Sequence, residues 1–201
     1  EHEIITAETI AERTGKSVTL SHELSGQLDA PRRAVTALLN ARLVPLIHQL
    51  ITAVENSMVR LKIACPLMVM RGDGSLVSSD FVKARPIETI LSGPAASATG
   101  AAALNSITEG VVVDIGGTTT DVATITGGLP ASAPSGARIG GHETMVDAVR
   151  VHTEGIGGDS HIQPTPLDDK AIAIGPRRVT PLVTSCSERP EVQVMLEDQL
   201  R

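Results

Sequence analysis

The sequence predicts an α/β protein with a mixed sheet flanked by helices. Three observations predict it. Apolar residues recur at helical spacing over residues 31–59. Several short β-branched runs end in glycine turns. A run of small residues beginning near residue 92 reads as a helix that packs closely on its neighbours. Helical and strand signals alternate along the chain, as in α/β folds.

Residues 2–14 read as a short helix with Ile5, Ile10 and Ala11 as a thin stripe, stopped by Gly15. Residues 18–20 read as a brief strand. Asp29 or Ala30 caps the long helix, and Pro31 suits its first turn. Val35, Leu38, Leu39, Leu43, Leu46, Ile47, Leu50, Ile51, Val54 and Met58 carry its periodicity, and Pro45 is expected to kink or split it. His48 reads as structural. Residues 66–70 read as a strand, Gly72, Asp73 and Gly74 as a tight turn, and Leu76 and Val77 as its continuation. Ser79 or Asp80 caps a short helix that Pro86 stops.

Ser92 is the expected cap of the small-residue helix, with Gly93 and Pro94 at its start. Its alanines let another backbone pack closely, and a helix N-terminus attracts anions. Residues 145–152 read as a strand that feeds a glycine cluster, Gly155, Gly157 and Gly158. Residues 170–174 read as a strand ended by Gly175 and Pro176. Residues 190–200 read as a terminal helix with Val192, Met195, Leu196 and Leu200 on one face.

Composition narrows the function. The chain has 201 residues, 41% of them apolar and 20% charged, which is a globular balance with enough length for a core. It has no Trp, no Tyr and one Phe, so base stacking on aromatics is excluded as a binding mode. A net charge of -6 argues against tracking a phosphate backbone. The longest apolar stretches are expected to fall short of a membrane span, and no signal-peptide pattern opens the chain. Cys65 and Cys186 form no CxxC motif and read as idle thiols in a reducing cytosol, which points to a cytoplasmic protein. The absence of an initiator Met is read as a sign of a processed or excised piece.

The chemistry concentrates in GVVVDIGGTTTDVATITGGLP, residues 110–130. Val111, Val112 and Val113 lead as a strand into Asp114, and Gly116 and Gly117 make a sharp turn. Thr118, Thr119 and Thr120 add hydroxyls, and a second strand leaves from Asp121. Adjacent glycines let backbone N–H groups approach an anion. Asp114 and Asp121 are placed to hold a divalent cation or orient water. Asp114 ends a run apolar enough for burial, where a carboxylate is costly unless it has a partner or a task. An ordinary glycine hairpin with two exposed aspartates is the competing reading, and both stand on the residues alone.

Six blocks occur in one order: SVTLSHEL, ALLNARLVPLI, VMRGDGSLVS, RPIETILSGPAASATGAAAL, VVVDIGGTTTDV and RVHTEGIGGDS. Together, over roughly residues 17–175, they resemble the central part of the hydantoinase/oxoprolinase family, the A-type subunit. DIGGTTTD and LSGPA are the sharpest pieces. The resemblance implies a ribonuclease H-like lobe of the fold shared by actin, acetate kinase and heat-shock ATPases. It also implies ATP-dependent hydrolysis of a cyclic amide such as a hydantoin or 5-oxoproline, by phosphorylation of the amide oxygen, with ATP and Mg²⁺ as cofactors.

Carried over by position, Asp114 and Asp121 take the catalytic places. Gly116, Gly117, Thr118 and Thr119 take the phosphate hairpin. Gly155, Gly157 and Gly158 take a nucleotide-facing turn, and Ser92 and Gly93 the start of the SGPA helix. The implied division is a flanking region over 1–85, the ATPase lobe over 86–178 and a tail over 179–201. Only one DxGGT-type hairpin is present, whereas the fold uses two. The chain therefore reads as a second-lobe fragment, inactive alone, that needs a first lobe or a second subunit, including a B-type subunit, and that is open to oligomerisation.

Two departures stand out: Asp159 where members often have glycine, and Arg150 where they often have aspartate, two residues before His152. His142, Asp147, His152, Asp159 and His161 follow no recognised ligand spacing, which leaves His152 and Asp159 as the metal candidates. The same fold would also serve an ATP-binding regulatory or reactivating module, or a lobe of a small-molecule kinase.

Overall fold

The computed structural model describes residues 1–133, 135–165 and 168–199. It is a mixed α/β chain whose hydrogen-bonded sheets are small and contain antiparallel pairs. It divides into two compact units, Glu1–Gly110 with Ala123–Arg150, and Val111–Val122 with Val151–Arg201.

In the first unit, α1 (His2–Thr14) ends where Gly15 turns into the left-handed region at φ 66° and donates its N–H to Ala11. Residues 18–20 form no strand. They are a link between α1 and α2 (Ser21–Leu24) and line a cleft against α3 (Ala30–Arg60). A strand needs a ladder partner, and this link has none among the described residues. Glu3 instead ties the segments together. It accepts from the Ser21 hydroxyl and from His22 Nδ1 at 2.7 Å, with Arg33 Nη2 at 3.5 Å.

Those partners, the Ser21 hydroxyl first, lower the Glu3 pKa to about 2. A depressed carboxylate stabilises the fold above its unfolded value of 4.5 and loses that contribution as pH falls toward 2. Protection of the α1 amides, relative to their intrinsic exchange at each pH, is therefore expected to fall between those pH values in the parent chain and to be already low at neutral pH in Glu3→Gln. Equal exchange in the two proteins at neutral pH would refute this.

Asp29 caps α3 by accepting from the Arg32 N–H at 3.1 Å, with Pro31 in the first turn. Pro45 does not split the helix, which runs unbroken for 31 residues. The turns on either side keep their hydrogen bonds and carry the helix past the missing donor. Contrary to the expectation from hydropathy, α3 is long and apolar enough to pass as a membrane span by length and composition. Most of its length is partly or fully exposed, and its buried residues are Thr36, Asn40 and Ile51. Thr36 and Asn40 are fully buried on it and bonded to other segments of the chain. Asn40 accepts from the Ile87 N–H at 3.2 Å and donates to the Ala84 carbonyl at 3.1 Å. Thr36 accepts from the Met145 N–H at 3.0 Å. Leu38, Leu46 and Leu50, all part of the apolar periodicity, are more than half exposed. The apolar stripe is wider than the core it meets.

Beyond it, β1 (Met68–Met70) and β2 (Leu76–Ser78) pair antiparallel around the 72–74 turn, with Val69 opposite Val77. The cap of α4 (Ser79–Ala84) is Ser78, one residue earlier than expected, accepting from the Phe81 N–H at 3.3 Å. A 3-10 turn, Pro86–Thr89, places Glu88 in the interior. Burial raises the Glu88 pKa, while Arg71 and Arg85 oppose that shift. Arg71 Nη2 lies 2.5 Å from Glu88 Oε2, as an ion pair whose angles fall outside hydrogen-bond geometry.

Ser92 does not cap α5 (Ser92–Leu104). Leu91, in the left-handed region at φ 65°, occupies the cap position, and no side chain bonds there. Ala95, Ala98 and Ala102 are buried, so close packing accounts for the small residues of this helix.

The next strands are β3 (Glu109–Ile115), β4 (Thr120–Thr126) and β5 (Leu129–Pro130), hydrogen-bonded in that order. Gly127 and Gly128, at φ 62° and 82°, make the two-residue turn between β4 and β5, and both conformations favour glycine. A small hairpin follows, β6 (Arg138–Ile139) and β7 (His142–Glu143).

The expected strand over 145–152 shrinks to β8 (Val151–Glu154), which pairs with β4. Residues 145–150 are hydrogen-bonded but irregular. Their partners are loop residues, as in Ala137 N–H to Val146 and Ala133 N–H to Ala148, and these make no ladder. Ala137, Val146 and Ala148 instead join Ile87 in a small core, with Leu39, Leu43 and Ile90 packed around it.

In the second unit, β9 (Ser160–Thr165) pairs antiparallel with β10 (Asp168–Arg178). β10 does not stop at Gly175 and Pro176. Its ladder is irregular between Ile174 and Arg178 but resumes at the pair Arg178 and Ser160. The tail holds two helices rather than one, α6 (Leu182–Glu188) and α7 (Pro190–Gln199). Val192 and Leu196 are half-buried on α7 while Met195 is exposed, and Leu200 lies outside the described residues.

Candidate functional site

The site is built on the β3–β4 hairpin. Alternation along β3 leaves Val111, Val113 and Ile115 exposed and Val112 and Asp114 half-buried, so the expected burial of the valine run is only partial. Residues 116–119 make the turn, closed by Gly116 N–H donating to the Thr119 carbonyl at 2.8 Å. Gly116, Gly117 and Thr118 are exposed.

The second glycine turn, after β8, docks against this one backbone to backbone. Gly158 N–H donates to the Gly116 carbonyl at 3.1 Å, and Asp159 N–H to the Gly117 carbonyl at 2.7 Å. A methyl group at Gly157 would lie 2.5 Å from the Gly117 oxygen and 2.6 Å from the Thr118 nitrogen. Thr120 Oγ1 adds a bond to the Ile156 carbonyl at 2.7 Å. Ser160, buried, accepts from the Gly157 N–H at 3.0 Å.

This contact decides which side of the hairpin turn is free. In a trans peptide the C=O and the next N–H point opposite ways. The carbonyls of Gly116 and Gly117 face the second turn, so the N–H groups of Gly117 and Thr118 face away from it. Among the described residues nothing accepts from the amides of Gly117, Thr118 or Thr119. A side chain at Gly117 would meet no atom within 4 Å. Consecutive unpaired amides beside open space make an anion-binding concavity.

The carboxylates differ. Asp114 is half-buried with no hydrogen-bond or ion-pair partner among the described residues, which leaves its oxygens available to a cation or a water. Asp121 Oδ1 accepts from Thr153 Oγ1 at 2.5 Å. Asp159 is held on both oxygens, by Arg178 Nη1 at 2.8 Å and by Thr118 Oγ1 at 3.2 Å. His152 pairs with Glu154 at 2.8 Å. No group of three metal-ligating side chains occurs among the described residues, so His142, Asp147, His152, Asp159 and His161 do not converge.

The structure thus brings Gly116, Gly117 and Thr118 together with Gly157, Gly158 and Asp159. Glycine at 157 is explained by packing on the hairpin, and the turn it belongs to acts as a backing plate for the first. Ser92 and Gly93 belong to the first unit. Sequence reasoning missed Arg178, Ser160 and Thr153. Thr153 and Ser160 lie within the RVHTEGIGGDS block, whereas nothing local marks Arg178, whose partners lie 18 and 19 residues away. A cleft of about 490 Å³ in the first unit is walled largely by apolar groups such as Val18, Leu20 and Ala34. Its charged residues Glu3 and Arg33 pair with each other.

A family model described as hydantoinase/oxoprolinase matches residues 33–186. The chain is similar to two solved structures. One, a nucleotide-free acetone carboxylase from work on ATP-dependent acetone carboxylation, is 25% identical with a TM-score of 0.66, over 88% of this chain and 25% of that one. The other, an ATP-dependent caprolactamase from Pseudomonas jessenii, is 25% identical with a TM-score of 0.69, over 88% of this chain and 26% of that one. The chain therefore spans about a quarter of the length of these structures. No curated protein matches it.

Proposed function

Because the chain belongs to the hydantoinase/oxoprolinase family, we propose that it supplies one phosphate-binding lobe of an ATP-dependent enzyme that hydrolyses a cyclic amide. The fold proposed for that lobe is the ribonuclease H-like half of an actin-like ATPase, with residues 86–178 as its centre. The observation that carries the reading is the row of unpaired amides at Gly117, Thr118 and Thr119 beside open space. The similarity to an ATP-dependent caprolactamase supports the coupling of ATP to a cyclic amide.

In this reading the turn amides and the Thr118 and Thr119 hydroxyls bind phosphate oxygens through fixed donors that need no rearrangement. Asp114, unpartnered, fits a role in holding Mg²⁺ or its water, and Asp121 orients its neighbour Thr153. A bound Mg²⁺ would neutralise charge on the transferred phosphoryl group. A first lobe, or a second subunit such as the B-type, supplies the opposing wall and the cyclic-amide site. The free thiols Cys65 and Cys186 fit a cytoplasmic location.

The test is ATP hydrolysis by the complete protein with hydantoin, 5-oxoproline and caprolactam as candidate substrates. Turnover stimulated by a cyclic amide and yielding the ring-opened acid is expected. A stable phosphorylated product would mark a kinase instead. ATP turnover that no small substrate accelerates would favour a regulatory or reactivating module.

A further inference from the structure

We infer that the Asp159–Arg178 pair sets the anion affinity of the hairpin turn, with Asp159 as a built-in negative charge that competes with phosphate and Arg178 as the cation that offsets it. The inference rests on the proposal that the turn binds phosphate. It comes from a feature which that proposal does not use: a carboxylate is bonded into the turn itself.

Asp159 reaches the turn twice. Its N–H donates to the Gly117 carbonyl at 2.7 Å, and its Oδ2 accepts the Thr118 hydroxyl at 3.2 Å. A hydroxyl has one proton to give, so Thr118 donating to Asp159 is not donating to a phosphate. A negative charge one side chain from the anion site also repels the incoming anion.

Arg178 limits that penalty. Its Nη1 donates to Asp159 Oδ1 at 2.8 Å and to the Ser160 hydroxyl at 3.0 Å. The main chain fixes the pair, because Val179 N–H donates to the Asp159 carbonyl at 2.7 Å. Both side chains keep partial exposure, 37% for Arg178 and 23% for Asp159, so their charges act on the turn from the face opposite its free amides. On phosphate binding the Thr118 hydroxyl turns from Asp159 to the anion, and the guanidinium divides its charge between the two. Arg178 and Asp159 are thus positioning residues that act on the ligand through Thr118 and through charge.

The signs of two substitutions separate this role from a structural one. Both Asp159→Asn and Arg178→Gln break the same ion pair, so a purely structural role weakens ligand binding in both. The competing-charge role moves them in opposite directions. Calorimetric titration of the complete protein with Mg·ADP and with inorganic pyrophosphate is expected to show about tenfold tighter binding for Asp159→Asn and about tenfold weaker binding for Arg178→Gln. The double variant should return to near the parent value. Salt should weaken binding more steeply in Asp159→Asn, where the cation is uncompensated.

Melting temperatures identify any variant that fails to fold. Should Asp159→Asn misfold, Asp159→Ser, which also removes the carboxylate charge, replaces it and must likewise tighten binding. Weaker binding in both folded single variants, or no change in either, overturns the inference. Mg·ADP binding that survives in Gly117→Val, or is absent from the parent, overturns the underlying phosphate-site reading instead.

Discussion

Gly117→Val is expected to leave the melting temperature of the complete protein unchanged and to lower its amide-dependent ATP turnover by roughly 10²- to 10³-fold, the scale of losing a fixed donor to the transition state. Gly117 has no left-handed backbone angle, so a side chain there costs no strain. An added Cβ meets nothing within 4 Å, so it costs no clash. The space that makes the substitution harmless to the fold is the space a phosphate oxygen must enter to reach the Gly117 and Thr118 amides. A branched side chain fills it. The measurements are a thermal melt and steady-state ATP hydrolysis with a cyclic amide present. Parental turnover in a folded Gly117→Val protein would show that the hairpin is not the phosphate site.

Gly157→Ala is expected to behave in the opposite way, with the damage falling on stability first. Its methyl would sit 2.5 Å from the Gly117 oxygen and 2.6 Å from the Thr118 nitrogen, both main-chain atoms that no rotamer change can move aside. The two turns must part, and the bonds from Gly158 N–H to Gly116 and from Asp159 N–H to Gly117 must stretch with them. Overpacking plus two weakened hydrogen bonds amounts to about 2–4 kcal/mol. Chemical denaturation of the parent and the variant measures it. Activity falls as well, because parted turns no longer aim the Gly117 and Thr118 amides outward. A loss below about 0.5 kcal/mol, the range of an indifferent surface change, would refute the backing-plate role.

These two glycines, forty residues apart, look alike as residues and differ in cause. Gly117 is small because something from outside must come close. Gly157 is small because another part of the same chain already has. A motif reading groups both as nucleotide-facing. Only the atoms around each show that the Cβ position is open at one and filled by backbone at the other.

Features that depend on near neighbours are legible in the residues alone. The 2–14 helix and its glycine stop, the Asp29 cap, the 116–119 turn and the Gly127–Gly128 hairpin end all follow from periodicity, side-chain caps and backbone freedom within a few residues. The order of six blocks was enough to place the chain in its family. The tertiary structure decided what depends on segments far apart in the chain. Asn40 is buried because Ala84 and Ile87 come to meet it across the fold. Val146 and Ala148 are core without being strand because the residues opposite them are a loop. Thr118 finds Asp159 41 residues away, and Asp159 finds Arg178 another 19 residues on. A ladder, a buried polar pair or a turn docked on a turn each needs two partners whose meeting is set by the path of the whole chain. No window of sequence holds both partners.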